Sequence, residues 1–317
     1  MQAESVAWVG ETRGTLATLF SFLALNLYLR WAGVHSEQGV FIDAVYENPA
    51  PRRRDYWLAV VCFALALLSK PSAAAMPLVV LVIDVLLLRR RLIVTLWRLT
   101  PWFVLAAVDT GLTKYYQKSE IMFAPAVASI QHRPLVAGDA YAFYLKKLVW
   151  PFDMAFDYGR TPHLVRELST FRLAWMLPVV VGLALSLLPR RRIWLGCYLI
   201  FIVALLPVSG LVPFLYQSIS TVADRYMYVP MFGFGLLLAT WVASRRSRAV
   251  PIALSAVVLG LLVPRTIEQC RTCATIGRSI ATRCAYAAEL HVASQSWFPI
   301  SRRQAIREGD SALSASR

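Results

Sequence analysis

Acidic residues are scarce in this chain. Eighteen Asp and Glu face thirty-three Lys and Arg, and charged residues of both signs make up only 16% of the 317 positions. What replaces them is apolar: hydrophobic residues reach 58%, and the mean hydropathy is +0.55. A soluble globular domain of this length does not average so apolar. Cysteine is also sparse. Cys62 and Cys197 lie inside apolar runs and suit packing. Cys270, Cys273, Cys284 and His291 approach a zinc spacing, but chance in an Arg-, Ala- and Ser-rich tail accounts for it better. The four histidines (35, 132, 163, 291) are scattered. No HExxH, GxSxG, P-loop or GxGxxG pattern occurs, so metalloprotease, serine hydrolase and nucleotide-binding readings have no anchor. Met1–Gly10 carries Glu4 and no basic n-region, unlike a signal peptide. There is no internal repeat and no low-complexity segment.

The excess positive charge is clustered. It falls in Arg52-Arg53-Arg54, Arg89-Arg90-Arg91, Arg190-Arg191-Arg192 and Arg245-Arg246-Ser247-Arg248, each at the end of an apolar run. Runs this short, abutting helix ends, argue against nucleic acid as a partner. They suit the cytoplasmic loops of a polytopic membrane protein.

About 20 apolar residues cross a bilayer as a helix. On that measure the expected fold is all-α, a transmembrane helical bundle of about eight spans. These are Thr15–Trp31, Tyr56–Leu68, Ala73–Leu88, Leu92–Leu112 (weakened by Arg98 and Pro101), Leu173–Leu188, Ile193–Leu215, Met231–Ala243 and Val250–Val263. Strict alternation puts every Arg cluster on one side and both termini on the other. Trp31, Trp57, Trp102, Trp175, Trp194, Tyr216, Tyr226 and Trp241 fall near the proposed ends, as interfacial aromatics do. In the segment 113–171, Tyr141, Tyr144, Leu145, Leu148 and Val149 share one helical face, and Pro151 stops the helix. This is an extracytoplasmic amphipathic helix, lying either in the interface or as a seam against the bundle.

The same alternation gathers polar residues on the outer face: Glu4, Glu11, Arg13, Lys70, Lys114, Lys118, Asp153, Asp157, Asp224 and Arg225. A protein acting on a lipid-borne phosphate needs Lys and Arg at headgroup level, because guanidinium grips phosphate oxygens bidentately and lysine offers a point charge. Lys70 and Arg225 are placed for this. Plainer readings stand beside it: Lys70 snorkels from a helix end, and Asp224 and Arg225 neutralise each other. Asp84 and Asp109 sit inside apolar runs, where a carboxylate is costly. Asp84 lies near the Arg89 cluster and suits pairing with it. The stretch Tyr216–Pro230, between two long apolar runs, concentrates the polarity of the second half.

Several of these stretches together resemble a known family. They are Glu4-Ser5-Val6-Ala7-Trp8-Val9 with Arg13 and Leu16–Phe20; Leu67-Leu68-Ser69-Lys70-Pro71 with Met76-Pro77-Leu78 and Asp84; Tyr144–Pro151; and Ser220–Pro230. Over residues 3–265 the chain is similar to the GT-C-fold, polyprenyl- or dolichyl-phosphate-mannose-dependent O-mannosyltransferase-like proteins that carry tetratricopeptide repeats. The resemblance implies an integral membrane glycosyltransferase that moves a sugar from a polyprenyl-phosphate carrier to an acceptor hydroxyl on a protein or glycan, outside the cytoplasm. It implies Lys70 and Arg225 as carrier-phosphate ligands, with Asp224 orienting Arg225, Tyr226 and Tyr228 lining the groove, and Glu4 nearby in a supporting place. No cofactor is evident, no metal ligands are assigned, and a divalent metal is left open. The short loops and Lys70-Pro71 lean towards a bacterial inner membrane.

Two departures from the family pattern matter. The family's catalytic acid lies in a first external loop that the expected layout places before this chain's Met1, so no residue inherits the catalytic role. The family's repeats should follow the membrane part, but residues 265–317 show none of the 34-residue type. The expected organisation is therefore a partial GT-C-like domain at 1–264 and a basic tail at 265–317. The competing readings are a membrane transporter or lipid flippase, and a catalytically silent fragment or scaffold.

Overall fold

The computed structural model describes residues 11–34, 52–122, 130–150, 158–167, 171–212, 214–218, 220–243 and parts of 253–267. The described residues are predominantly helical and contain no strand. In order, the elements are α1 (Thr12–Trp31), α2 (Arg53–Ser69), α3 (Met76–Val82), α4 (Leu92–Met122), α5 (Arg133–Val149), α6 (Pro162–Glu167), α7 (Phe171–Ala174), α8 (Met176–Leu187), α9 (Arg191–Leu205) and α10 (Met231–Ala243). The eighth expected span is described only at scattered helical positions between 253 and 267.

Helices α1 and α2 form an antiparallel hairpin. Small residues let their backbones close up: Ala17, Ser21 and Ala24 on α1 and Ala59 and Ala66 on α2 are all buried. Phe63 and Tyr28 fill the remaining space, with Trp102 of α4 stacked on Phe63 at 4.7 Å and edge-on to Tyr28 at 5.9 Å. The chain breaks after Ser69. Lys70 is extended (φ −156°, ψ 123°), and Pro71 opens a short 3-10 turn, Pro71–Ala75, that leads into α3. Proline suits that first position because its missing N–H has no helical partner there.

Helix α3 loosens into a π-helical turn, Ile83–Leu87, which carries the fully buried Asp84. Tyr28 donates to Asp84 Oδ2 at 2.6 Å, Thr95 approaches it at 3.4 Å, and Arg90 Nη1 lies 3.4 Å from Oδ1. Asp84 thus pairs with the Arg89 cluster, as its position suggests. Arg90 also donates to the Ala32 carbonyl, which ties the C-terminal ends of α1 and α3 together. Arg89 and Arg190, each the first of an arginine triplet, hold left-handed φ values of 55° and 59°. This conformation is uncommon for residues with a side chain and here reverses the chain between helices.

Helix α4 has 31 residues and runs through Pro101 without interruption, well beyond the expected end at Leu112. Two side chains supply hydrogen bonds to carbonyls beside the proline: Thr100 to Leu96 and Tyr56 to Arg98. The sixth expected span is shorter than its apolar run. Helix α9 stops at Leu205, and a 3-10 turn, Leu206–Val208, ends it at Pro207 and Gly210.

Among the described residues two stretches, Leu92–Gln117 and Arg191–Val208, are long and apolar enough to cross a membrane. Pro71–Leu87, Met176–Leu187 and Met231–Val242 are apolar but shorter. Large apolar side chains stand exposed along α4 (Ile93, Trp97, Val108, Leu112) and α8 (Leu183, Leu187). A surface of this kind marks a protein that meets lipid or another apolar partner.

Helix α5 starts earlier than the Tyr141–Val149 stripe suggests and packs as a seam. Its buried face is Val136, Ala137, Asp139, Ala140, Tyr144 and Lys147, whereas Val149 is exposed. The seam depends on Gly138. A Cβ there would fall 2.4 Å from Trp175 Cβ and 2.8 Å from its Cα.

Candidate anion site

The antiparallel run of α1 and α2 brings Glu11, at the start of one, to Lys70, at the end of the other. Glu11 Oε2 lies 2.6 Å from Lys70 Nζ. Glu11 Oε1 lies 3.4 Å from Arg225 Nε, which comes from the 3-10 turn Asp224–Met227. One buried carboxylate therefore sits between the two cations expected to bind phosphate. Glu11 occupies the N-cap position of α1, yet its side chain caps no backbone amide of that helix. The carboxylate has turned away from the helix terminus towards the cations. Gly14, one turn along, leaves the room: a Cβ there would stand 2.7 Å from Glu11 Oε2 and 3.2 Å from Lys70 Nζ.

Arg225 is almost wholly enclosed. Its guanidinium lies 4.0 Å from the centroid of the Tyr216 ring and 5.3 Å from that of Tyr226. Such stacking holds a guanidinium flat without consuming its hydrogen-bonding edge. The three charged residues line a small cleft of about 40 Å³, together with Thr18, Ser21, Ser72, Tyr226 and Tyr228. Of the residues expected here, Lys70, Arg225, Tyr226 and Tyr228 come together around this cleft. Glu4 lies outside the described residues.

Asp224 faces a different partner. Its Oδ1 accepts a 2.9 Å hydrogen bond from the Tyr158 hydroxyl, and Glu11 lies at ion-pair distance from Arg225. Burial raises the Asp224 carboxyl above its ordinary value, opposed by the Tyr158 bond and the Lys147 charge. Burial also pushes the Tyr226 hydroxyl well up, against the pull of Arg225.

The loop that carries Arg225 is tied to α5 and to the segment before α6. Tyr144 donates to the Ala223 carbonyl at 3.2 Å and accepts from the Ala223 N–H at 3.0 Å. The Thr221 N–H donates to the Arg160 carbonyl at 2.8 Å. Arg160 in turn pairs with the buried Asp139 of α5 at 2.7 Å. Lys147 is buried and lies 5.1 Å from the Tyr158 ring centroid.

Sequence reasoning placed Glu11 on the outer face but gave it no role, and it missed Tyr158, Asp139 and Arg160. The signal for Glu11 was an acid just before one apolar run and a lysine just after the next. A tight helical hairpin brings two such positions together. Among the described residues no cluster of His, Cys, Asp and Glu is arranged to hold a metal ion. Comparison with protein-family models, with curated proteins and with solved structures finds no match for this chain.

Proposed function

We propose that this chain is the membrane-embedded part of a transferase that takes a sugar from a polyprenyl-phosphate carrier and passes it to an acceptor hydroxyl. The observation that carries this reading is the convergence of Lys70 and Arg225, remote in sequence, on one anionic group, Glu11. A cleft that holds a carboxylate between an ammonium and a stacked guanidinium suits the oxyanion of a phosphodiester. The surrounding apolar helix faces suit a lipid-linked substrate.

In this reading the bundle has about eight spans, with the Arg clusters in the cytoplasm and the Glu11 cleft outside, as in a bacterial inner membrane. The acceptor oxygen attacks the anomeric carbon with inversion. The bond from that carbon to the phosphate oxygen breaks, and the carrier phosphate leaves with its charge held by Lys70 and Arg225. The acceptor proton passes to a base that no residue here is assigned to supply. The test is transfer from a synthetic polyprenyl-phosphate sugar by membranes that contain the protein. Arg225→Ala and Lys70→Ala should each lower transfer at least tenfold, and unchanged transfer in both would sink the reading.

One observation favours transport instead. Asp109, inside α4, has a buried oxygen with no hydrogen-bond partner. Unpaired carboxylates inside a span often mark a solute path. Uptake into proteoliposomes that is abolished by Asp109→Asn would support that alternative.

A further inference from the structure

We infer that Glu11 is an intramolecular stand-in for the lipid phosphate, a carboxylate that closes the Lys70–Arg225 site and must be displaced for substrate to bind. The inference rests on the phosphate-binding reading above and adds a ligand-determining residue to it. Four observations lead there. Glu11 contacts both cations, so it holds the position a bridging oxyanion would take. Its two oxygens divide between the cations, Oε2 towards Lys70 Nζ and Oε1 towards Arg225 Nε, as two phosphate oxygens would. It sits at the N-cap of α1 without capping it, so its side chain is held through the two cations rather than through the helix. Gly14 provides the space in which the Glu11–Lys70 contact forms.

These features make a two-position switch. With the carboxylate inward, the oxyanion position between Lys70 and Arg225 is occupied. A phosphate with better hydrogen-bonding geometry at Arg225 replaces it, and the carboxylate swings clear of the cations. A switch of this kind reduces apparent affinity by the fraction of time it stays open. Closed nine-tenths of the time, it weakens binding about tenfold.

The experiment uses the full chain in detergent micelles with farnesyl phosphate as the probe, and binding is followed by native mass spectrometry. Glu11→Gln keeps the side chain's size and removes its charge, and it should bind the probe about tenfold more tightly than the wild type. Lys70→Ala and Arg225→Ala should bind it more weakly. If Glu11→Gln binds equally or less well while the two cation variants lose affinity, the phosphate site stands and the displaced carboxylate does not. If the cation variants bind as the wild type does, the phosphate reading itself fails and the switch falls with it. A second measurement on the unaltered protein covers the case in which Glu11→Gln misfolds. Carbodiimide labelling of Glu11, mapped by peptide mass spectrometry, should increase when farnesyl phosphate is added. Unchanged or reduced labelling means the carboxylate stays in place and overturns the inference.

Discussion

The Tyr28 hydroxyl donates to Asp84 Oδ2 at 2.6 Å, across the seam between α1 and the π-helical turn. Removing that hydroxyl leaves a buried carboxylate with a missing donor. Tyr28→Phe should therefore cost about 1–3 kcal/mol, the usual penalty for stranding a buried acceptor. Unfolding in mixed micelles measures it, and a change below about 0.5 kcal/mol would mean that Arg90 and Thr95 satisfy Asp84 unaided.

Two glycines should respond oppositely to the same change. Gly138→Ala drives a methyl into the Trp175 backbone and should destabilise the α5 seam by about 1–3 kcal/mol. Gly111→Ala meets nothing within 4 Å on α4 and should stabilise by up to about 1 kcal/mol through helix propensity. Thermal unfolding of both variants in one detergent checks the pair. A neutral Gly138→Ala would show that α5 can lift away from Trp175 without cost.

Arg225 is expected to tolerate lysine poorly. Lysine keeps the charge but loses the flat stack on Tyr216 and the two-pronged edge. Enclosed stacking of this kind contributes up to about 2 kcal/mol, so Arg225→Lys should weaken farnesyl phosphate binding about tenfold or more. Full retention of binding would show that charge alone suffices.

Asp224 makes stability depend on pH in a definite direction. Its carboxyl is raised in the folded protein by burial. Near and above the usual carboxylate range the folded state then holds more protons than the unfolded one, so this group's contribution falls as pH rises from the unfolded value through the folded one. Asp224→Asn should remove that slope. Its stability relative to the wild type should be lowest at acidic pH and improve towards neutral. Parallel unfolding curves from pH 4 to pH 7 would contradict the assignment.

The helical class was readable because apolar runs of membrane length leave little alternative, and Met231–Ala243 is found at the bounds its run suggests. Ends were harder. Helix α4 outruns its apolar stretch because backbone hydrogen bonding continues through Thr113–Gln117 regardless of polarity, and Pro101 removes only one donor. In the site, Lys70 and Arg225 could be singled out because isolated cations beside apolar runs are conspicuous. Their shared partner was harder: a helical hairpin brings Glu11 to Lys70, but a pairing between residues 11 and 225 leaves no periodic trace. The same limit explains Asp224, whose neighbour in the chain is Arg225 but whose neighbour in space is Tyr158.

The α1–α2–α3 cluster is fastened by charge at each end. At the Asp84 end, Tyr28, Thr95, Arg90 and the Ala32 carbonyl interlock. At the other, Glu11 of α1 meets Lys70 over Gly14. Gly14 is the keyhole of that second latch, because a methyl there would press on both the carboxylate and the ammonium. Gly14→Ala should therefore loosen the start of α1 and quicken amide exchange in its first turns, while its last turns, held from the arginine end, exchange as before.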